Sequence, residues 1–213
     1  DIYSEWSVNE KVALEVAAAG SFAGLRSLAV MKQPGVNVAA DFLMHLALSG
    51  VRAGMVIVAA DDPGALSSVN EGETRFYARL MEFPMLEPGS FQEAKQMTKW
   101  AFDLSETLRM PVLVRTVTRL SHASGIVEFG DMIPPKTKAF FHYDGNMLDP
   151  MTGFMMTPPV SIKHRLQHEK LDRAAEIFET SPFNSYEGPD NPDLVIITSS
   201  ICQLYAREAI DLL

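Results

Sequence analysis

The chain has 213 residues, 47% hydrophobic and 21% charged, enough for one large domain and part of another around a sizeable buried core. Its 18 Lys and Arg against 27 Asp and Glu leave a net charge of -9 without a basic run, which excludes a nucleic-acid surface, because phosphate binding relies on cationic side chains. The single cysteine excludes an internal disulfide framework, a thiolate zinc site and a cysteine-held iron–sulfur cluster within this segment; it fits a reducing cytoplasm, and no apolar run approaches the ~20 residues of a membrane helix.

Helical periodicity covers 8–19 and stops at Gly20, with Ser7 and Glu10 spaced as a capping box. The apolar run Leu25–Met31 reads as a strand, and a helix over 38–49 follows with Asn37 as its N-cap and Gly50 as its stop. Met55–Ala60 reads as a buried strand, Ser90 caps a helix with an apolar stripe of Ala94, Met97, Ala101, Leu104 and Leu108, and Pro111–Arg115 reads as the next strand. Alternation of helices with short apolar runs predicts an α/β fold with a mostly parallel sheet flanked by helices. From Glu128 to Pro159 the Pro, Gly and Met content reads as a connector. An amphipathic helix over 161–179, a Pro- and Asn-rich stretch, a strand at Asp193–Thr198 and a final helix then predict the beginning of a second α/β domain, with Cys202 as a small buried residue. The expected division is 1–127, a connector 128–160, and 161–213. The opening, a few residues before a helix with no strand leading in, reads as a fragment or a domain lacking its first β/α unit.

Glu10 has two readings. As the fourth residue of Ser7-Val-Asn-Glu10 it closes a capping box. By helical spacing it shares a face with Ala13, Leu14 and Ala17, so it also starts an apolar stripe, where partial burial suits a carboxyl group to sharing a proton near neutral pH. Lys32-Gln-Pro-Gly-Val-Asn37 sits at the carboxyl end of a strand and enters a helix, the usual ligand position in an open α/β sheet; the plainer account is that Pro34 and Gly35 turn the chain and Asn37 caps. Asp61-Asp-Pro-Gly64, with Ser67, Ser68 and Asn70 beyond it, fits either part of a substrate pocket or subunit interface, or an Asp-Pro-Gly turn with serine caps. Adjacent aspartates on an extended segment point apart, so no metal is predicted there. His164 and His168 lie one helical turn apart, but with no third ligand in view they read as a solvated face. No Gly-x-Gly-x-x-Gly, phosphate-binding loop or Gly-x-Ser-x-Gly occurs, so nicotinamide, nucleoside-triphosphate and serine-hydrolase chemistry lack local support.

Several blocks, in order and spacing, resemble the pyrimidine-binding domain of the large subunit of indolepyruvate:ferredoxin oxidoreductases, which are thiamine-diphosphate-dependent 2-oxoacid:ferredoxin oxidoreductases. They are Glu5–Gly24, Met31–Asp41, Val58–Gly64, Ser67–Glu71, Met85–Pro88, Ser90–Ala94 and Leu113–His122, with a weaker continuation through Ser181–Asn184 and Leu194–Thr198. The resemblance implies that Glu10 is the glutamate that hydrogen-bonds the aminopyrimidine ring nitrogen of thiamine diphosphate, which lets the ring's amino group remove the thiazolium proton. It implies cofactor contacts at Gly35 and Asn37, although the family usually reads His-Val where this chain has Gln33-Pro34. For the complete enzyme it implies oxidative decarboxylation of an aryl 2-oxoacid to the acyl-coenzyme A, with electrons passed through iron–sulfur clusters to ferredoxin. It also implies a second subunit, oligomeric assembly, and a Mg2+–diphosphate-binding domain and cluster cysteines outside this segment, so that the segment by itself is inactive. A non-catalytic module of the same fold, or a related oxidoreductase acting on another 2-oxoacid, are the alternatives.

Overall fold

The first helix, α1 (Glu10–Phe22), starts where the Asn9 side chain accepts the Val12 N–H at 3.0 Å. Asn9 therefore displaces Ser7 as the cap: Ser7 instead donates to the Glu5 carboxylate at 3.4 Å, and asparagine is at least as strong a cap as serine. The helix also runs past Gly20, because the turn that ends it is made by Gly24, at φ +86. These elements belong to a computed structural model that describes residues 2–133, 137–143, 145–149, 153 and 159–212.

Strand β1 (Ser27–Lys32) leads directly into α2 (Gln33–Ser49), with Lys32 at the cap position and Pro34 in the first turn, where its missing N–H costs nothing. The helix begins earlier than expected, so Asn37 lies inside it and caps nothing; Gly50, at φ +73, ends it as predicted. Next come β2 (Met55–Asp61), α3 (Thr74–Met81), β3 (Met85–Leu86), α4 (Phe91–Leu108), β4 (Val112–Val117), the single turn α5 (Thr118–Ser121), a 3-10 turn at Gly145–Leu148, α6 (Val160–Glu179) and α7 (Cys202–Asp211). Ser90 caps α4 by accepting the Glu93 N–H, as its sequence position implies.

The four strands lie in the order β1-β2-β4-β3 and every pairing is parallel, with Ser27 opposite Met55, Val56 opposite Val112 and Met85 opposite Leu113. Period-2 alternation sends Met55, Ile57 and Ala59 into one apolar layer with α1, α2 and α3, and Val56, Val112 and Val114 into another with α4. Burial of Val56, Ile57 and Val112 is complete. Helix α6, which the sequence places at the start of a second unit, contributes Ala174, Leu171, Ile177 and Phe178 to the α4 layer, where Phe178 and Phe183 meet Trp100 edge-on at 5.8 and 5.6 Å.

At the amino ends of the strands, two buried hydroxyls close the loops. Ser21 Oγ donates to the Ala53 carbonyl at 2.6 Å and accepts from the Arg52 and Ala53 amides. Ser105 Oγ donates to the Met110 carbonyl at 2.6 Å and accepts the Met55 amide at 2.9 Å.

Two expectations fail toward the carboxyl terminus. Asp193–Thr198 forms no strand, and Leu194 and Ile197 are 73% and 92% exposed. A strand requires a partner edge to accept its N–H and C=O groups, and among the described residues 193–198 pairs with none, not even with the edge strands β1 and β3. Cys202 is exposed rather than buried, because α7 presents no buried side chain.

Candidate functional site

All four strands run the same way, so their carboxyl ends and the helix starts that follow gather at one end of the sheet, where the site residues named from sequence mostly lie. Glu10, the first residue of α1, is half-buried there and packs onto Gly35 in the first turn of α2. The approach is so close that a Cβ built on Gly35 would stand 2.4 Å from Glu10 Cγ and 2.9 Å from its carboxyl carbon and Oε1. With Glu10 in this conformation only glycine fits opposite it; any larger residue would push the Glu10 side chain aside, which accounts for Gly35 by contact rather than by turn geometry. Glu10 and Gly35, 25 residues apart in sequence, form one feature. Among the described residues the Glu10 carboxylate accepts no hydrogen bond.

Next to this pair, Gln33 is 2% exposed; its amide N–H donates to the Asn70 carbonyl at 3.2 Å, while its Oε1 is buried and unpartnered among the described residues. Gly72 rests on the Gln33 side chain, and Lys32 Nζ donates to the Ser67 carbonyl at 3.0 Å. The loop 62–73 is thereby drawn over the start of α2 by the two residues preceding Pro34. Asn37 is exposed and accepts from the Tyr77 hydroxyl of α3. Asn70 and Ser67 meet this region through their backbone carbonyls.

Asp61 and Asp62, each 1% exposed, are fully engaged within the chain. Asp61 Oδ2 accepts from Arg115 Nε at 2.6 Å and from the Thr74 amide at 2.9 Å, and Oδ1 accepts from the Thr74 hydroxyl. Asp62 accepts from Thr118 Oγ1 at 2.6 Å, Ser68 Oγ at 2.7 Å and the Ser67 amide at 2.7 Å. Those hydrogen bonds, Thr118 and Ser68 foremost, hold its carboxyl well below the usual carboxylate range. Ser67 and Ser68 thus serve the Asp62 turn, in line with the plainer sequence account.

Arg115, which the sequence reading passed over, is the centre of this end of the sheet. At 2% exposure it meets Asp61, Glu87 at 2.8 Å and Glu73 at 3.1 Å, and Arg75 joins Glu87 from the other side at 2.7 Å. A charged residue interrupting the apolar strand Val112-Leu-Val-Arg115 was the available signal, since an arginine there must find buried acids. His164 and His168 are on the exposed face of α6 as expected, but they do have a carboxylate neighbour, Glu82.

No protein-family model matches the chain. It is 43% identical over 213 residues to the indolepyruvate oxidoreductase subunit IorA of Methanothermobacter marburgensis, a match spanning 100% of this chain and 34% of the relative. The IorA subunits of Archaeoglobus fulgidus and Pyrococcus horikoshii are 42% and 40% identical, over 99% and 98% of the chain and 33% and 32% of their own lengths. Among solved structures, the fold is shared with the 2-oxoglutarate:ferredoxin oxidoreductase of Magnetococcus marinus, at a TM-score of 0.60 and 16% identity, covering 86% of this chain and 38% of that one. That structure holds 2-oxoglutarate, coenzyme A and succinyl-CoA. The chain is accordingly an α/β relative of the indolepyruvate oxidoreductase subunit IorA along its whole length, and it spans about a third of that subunit.

Proposed function

We propose that the chain is the pyrimidine-binding part of a thiamine-diphosphate-dependent oxidoreductase that converts an indolepyruvate-like aryl 2-oxoacid to its acyl-coenzyme A, with ferredoxin as the electron acceptor and a second subunit completing the assembly. The observation that supports this most directly is the packing of Glu10 on Gly35 at the carboxyl end of the sheet. These residues fit a flat heteroaromatic ring: a half-buried carboxylate with no internal partner among the described residues, a helix start stripped of a Cβ beside it, and the unpartnered Gln33 Oε1 nearby.

In this reading Glu10 shares a proton with the aminopyrimidine ring nitrogen, and Gly35 lets the carboxylate lie flat against α2. Asn37, fixed by Tyr77, is the third cofactor contact. Thiamine diphosphate, when bound, supplies the acidic thiazolium carbon that reacts with the 2-oxoacid. Asp61, Asp62, Ser67, Ser68 and Asn70 support the site from behind, holding loop 62–73 over α2 rather than touching substrate. The Mg2+-binding residues and the iron–sulfur ligands belong to other parts of the enzyme, which has its place in the cytoplasm. Among the described residues no helix is long and apolar enough to cross a membrane.

Glu10→Gln in the complete enzyme tests the assignment. Because Asn9 and not Glu10 provides the cap, the substitution leaves the start of α1 intact. Thiazolium-proton exchange of the bound cofactor, followed by NMR, should slow by about 100-fold or more, the usual size of a lost proton-transfer role, with the melting temperature unchanged. Exchange at the wild-type rate would remove Glu10 from the chemistry.

A further inference from the structure

Away from the residues around Glu10, the end of α3 meets the middle of α6. Glu82 closes α3 in a left-handed conformation, φ 57 and ψ 48, which glycine or asparagine adopts far more readily than glutamate. The strained backbone directs the Glu82 carboxylate onto α6. There Glu82 Oε2 lies 3.1 Å from His164 Nε2 and Glu82 Oε1 lies 3.0 Å from His168 Nε2. The two imidazoles, one helical turn apart, meet edge to face with centroids 4.4 Å apart, and all three ligand-capable atoms fall within 4.8 Å of one another.

We propose that Glu82, His164 and His168 form a binding site for a zinc-class divalent transition-metal ion. Two imidazole nitrogens and one carboxylate are the donor set such ions take in three-ligand sites, the remaining position being filled by water. The i,i+4 spacing puts both Nε2 atoms on one helix face, and the carboxylate arrives from a separate element, so the ligands converge instead of pointing along one surface. With the ion bound, each Nε2 turns its lone pair inward and the ring proton sits on Nδ1, so that Glu82 exchanges two hydrogen bonds for a metal bond. The inference is independent of the Glu10 assignment.

The site lies across a joint. Gln167, between the two histidines, donates to the Met81 carbonyl at 2.8 Å from a buried position, so the α3 end and α6 are already in register without metal. An ion would bind what this contact aligns, and would act as a clip between α6 and the α3–β3 turn. Its role is structural: it holds the segment that follows the connector onto the sheet.

The test uses the whole chain, stripped with a chelator and then titrated with Zn2+ by calorimetry and with Co2+ by visible absorption. Saturable binding at one ion per chain is expected, with a tetrahedral or five-coordinate Co2+ spectrum and a melting temperature that climbs with free Zn2+. Glu82→Gln, His164→Gln and His168→Gln should each weaken binding about tenfold or more while leaving the metal-free melting temperature within a degree or so of wild type. Replacing His45, His122 and His142 should change nothing. No saturable binding by the wild-type chain, or binding that survives all three ligand substitutions or follows the other histidines, would overturn the site.

Discussion

Two apolar runs of similar composition meet opposite fates. Met-Val-Ile-Val-Ala-Ala-Asp61 is the second strand of the sheet, paired on both sides, with Val56 and Ile57 at 0% exposure. Asp-Leu-Val-Ile-Ile-Thr198 is equally β-prone, yet it forms no strand and leaves Ile197 92% exposed. Local propensity is the same; what differs is whether the run is docked between neighbouring strands, and in sheets that decides the outcome. The first run also ends in Asp61, whose buried charge is met by Arg115, so its polar end is provided for as thoroughly as its apolar middle.

The largest effect should come from breaking that polar end. Arg115→Met keeps most of the side-chain volume but leaves Asp61, with 1% exposure, without the cation that hydrogen-bonds it, and should cost about 3–5 kcal/mol in urea unfolding. A loss below about 1 kcal/mol would mean that the ion cluster contributes almost nothing beyond what apolar packing supplies. The apolar runs can be compared directly by truncating one isoleucine in each. Ile57→Ala should cost about 2–5 kcal/mol and Ile197→Ala no more than about 0.5, and equal losses would show that 193–198 is packed in solution after all.

A smaller effect sharpens the contrast on the α6 side. Burial, with added repulsion from Lys163 and Arg109, pulls the Lys170 ammonium down to about 8 from its ordinary 10.5. The folded state therefore holds this proton less tightly than the unfolded chain. That costs stability at every pH below about 8, and the cost fades as pH rises from 8 toward 10.5. Lys170→Met should raise stability by about 1 kcal/mol at pH 7, a value reduced for the solvent that still reaches the group and for its bond to the Arg109 carbonyl. The gain should shrink in thermal melts above pH 9, and a gain independent of pH would assign it to packing alone.

Where local signals were unopposed, the sequence was readable: the Ser90 cap, the Gly50 stop and the apolar runs of β1, β2 and β4 all lie within a few residues of their expected places. Competition between neighbours was not readable. Ser7 and Asn9 both qualify as caps, and only the path of the chain settles for Asn9; Asn37 looked like a cap because nothing local shows that α2 continues directly from β1 through Pro34. Helix α3 was missed because its eight residues make barely two turns, too short a window for a 3.6-residue period to stand out, and β3, of two residues, is too short for any periodicity. The candidate site was legible residue by residue, but its assembly was not. That Gly35 makes room for Glu10, and that Glu82 supplies the third ligand the histidine pair lacked, are contacts across α-helices far apart in sequence.

The hydroxyls of Ser21 and Ser105 have a further consequence. Each takes up the backbone groups of a reversal at the amino ends of the strands, work that surface loops ordinarily leave to water. Those reversals are thus measured to length, since one inserted residue would slide the carbonyl and amide away from the hydroxyl between them. At the other end of the sheet loop 62–73 is held through side chains instead, by Asp62 within it and by Lys32 and Gln33 at the start of α2, so its fastening depends on residue type where that of the reversals depends on length.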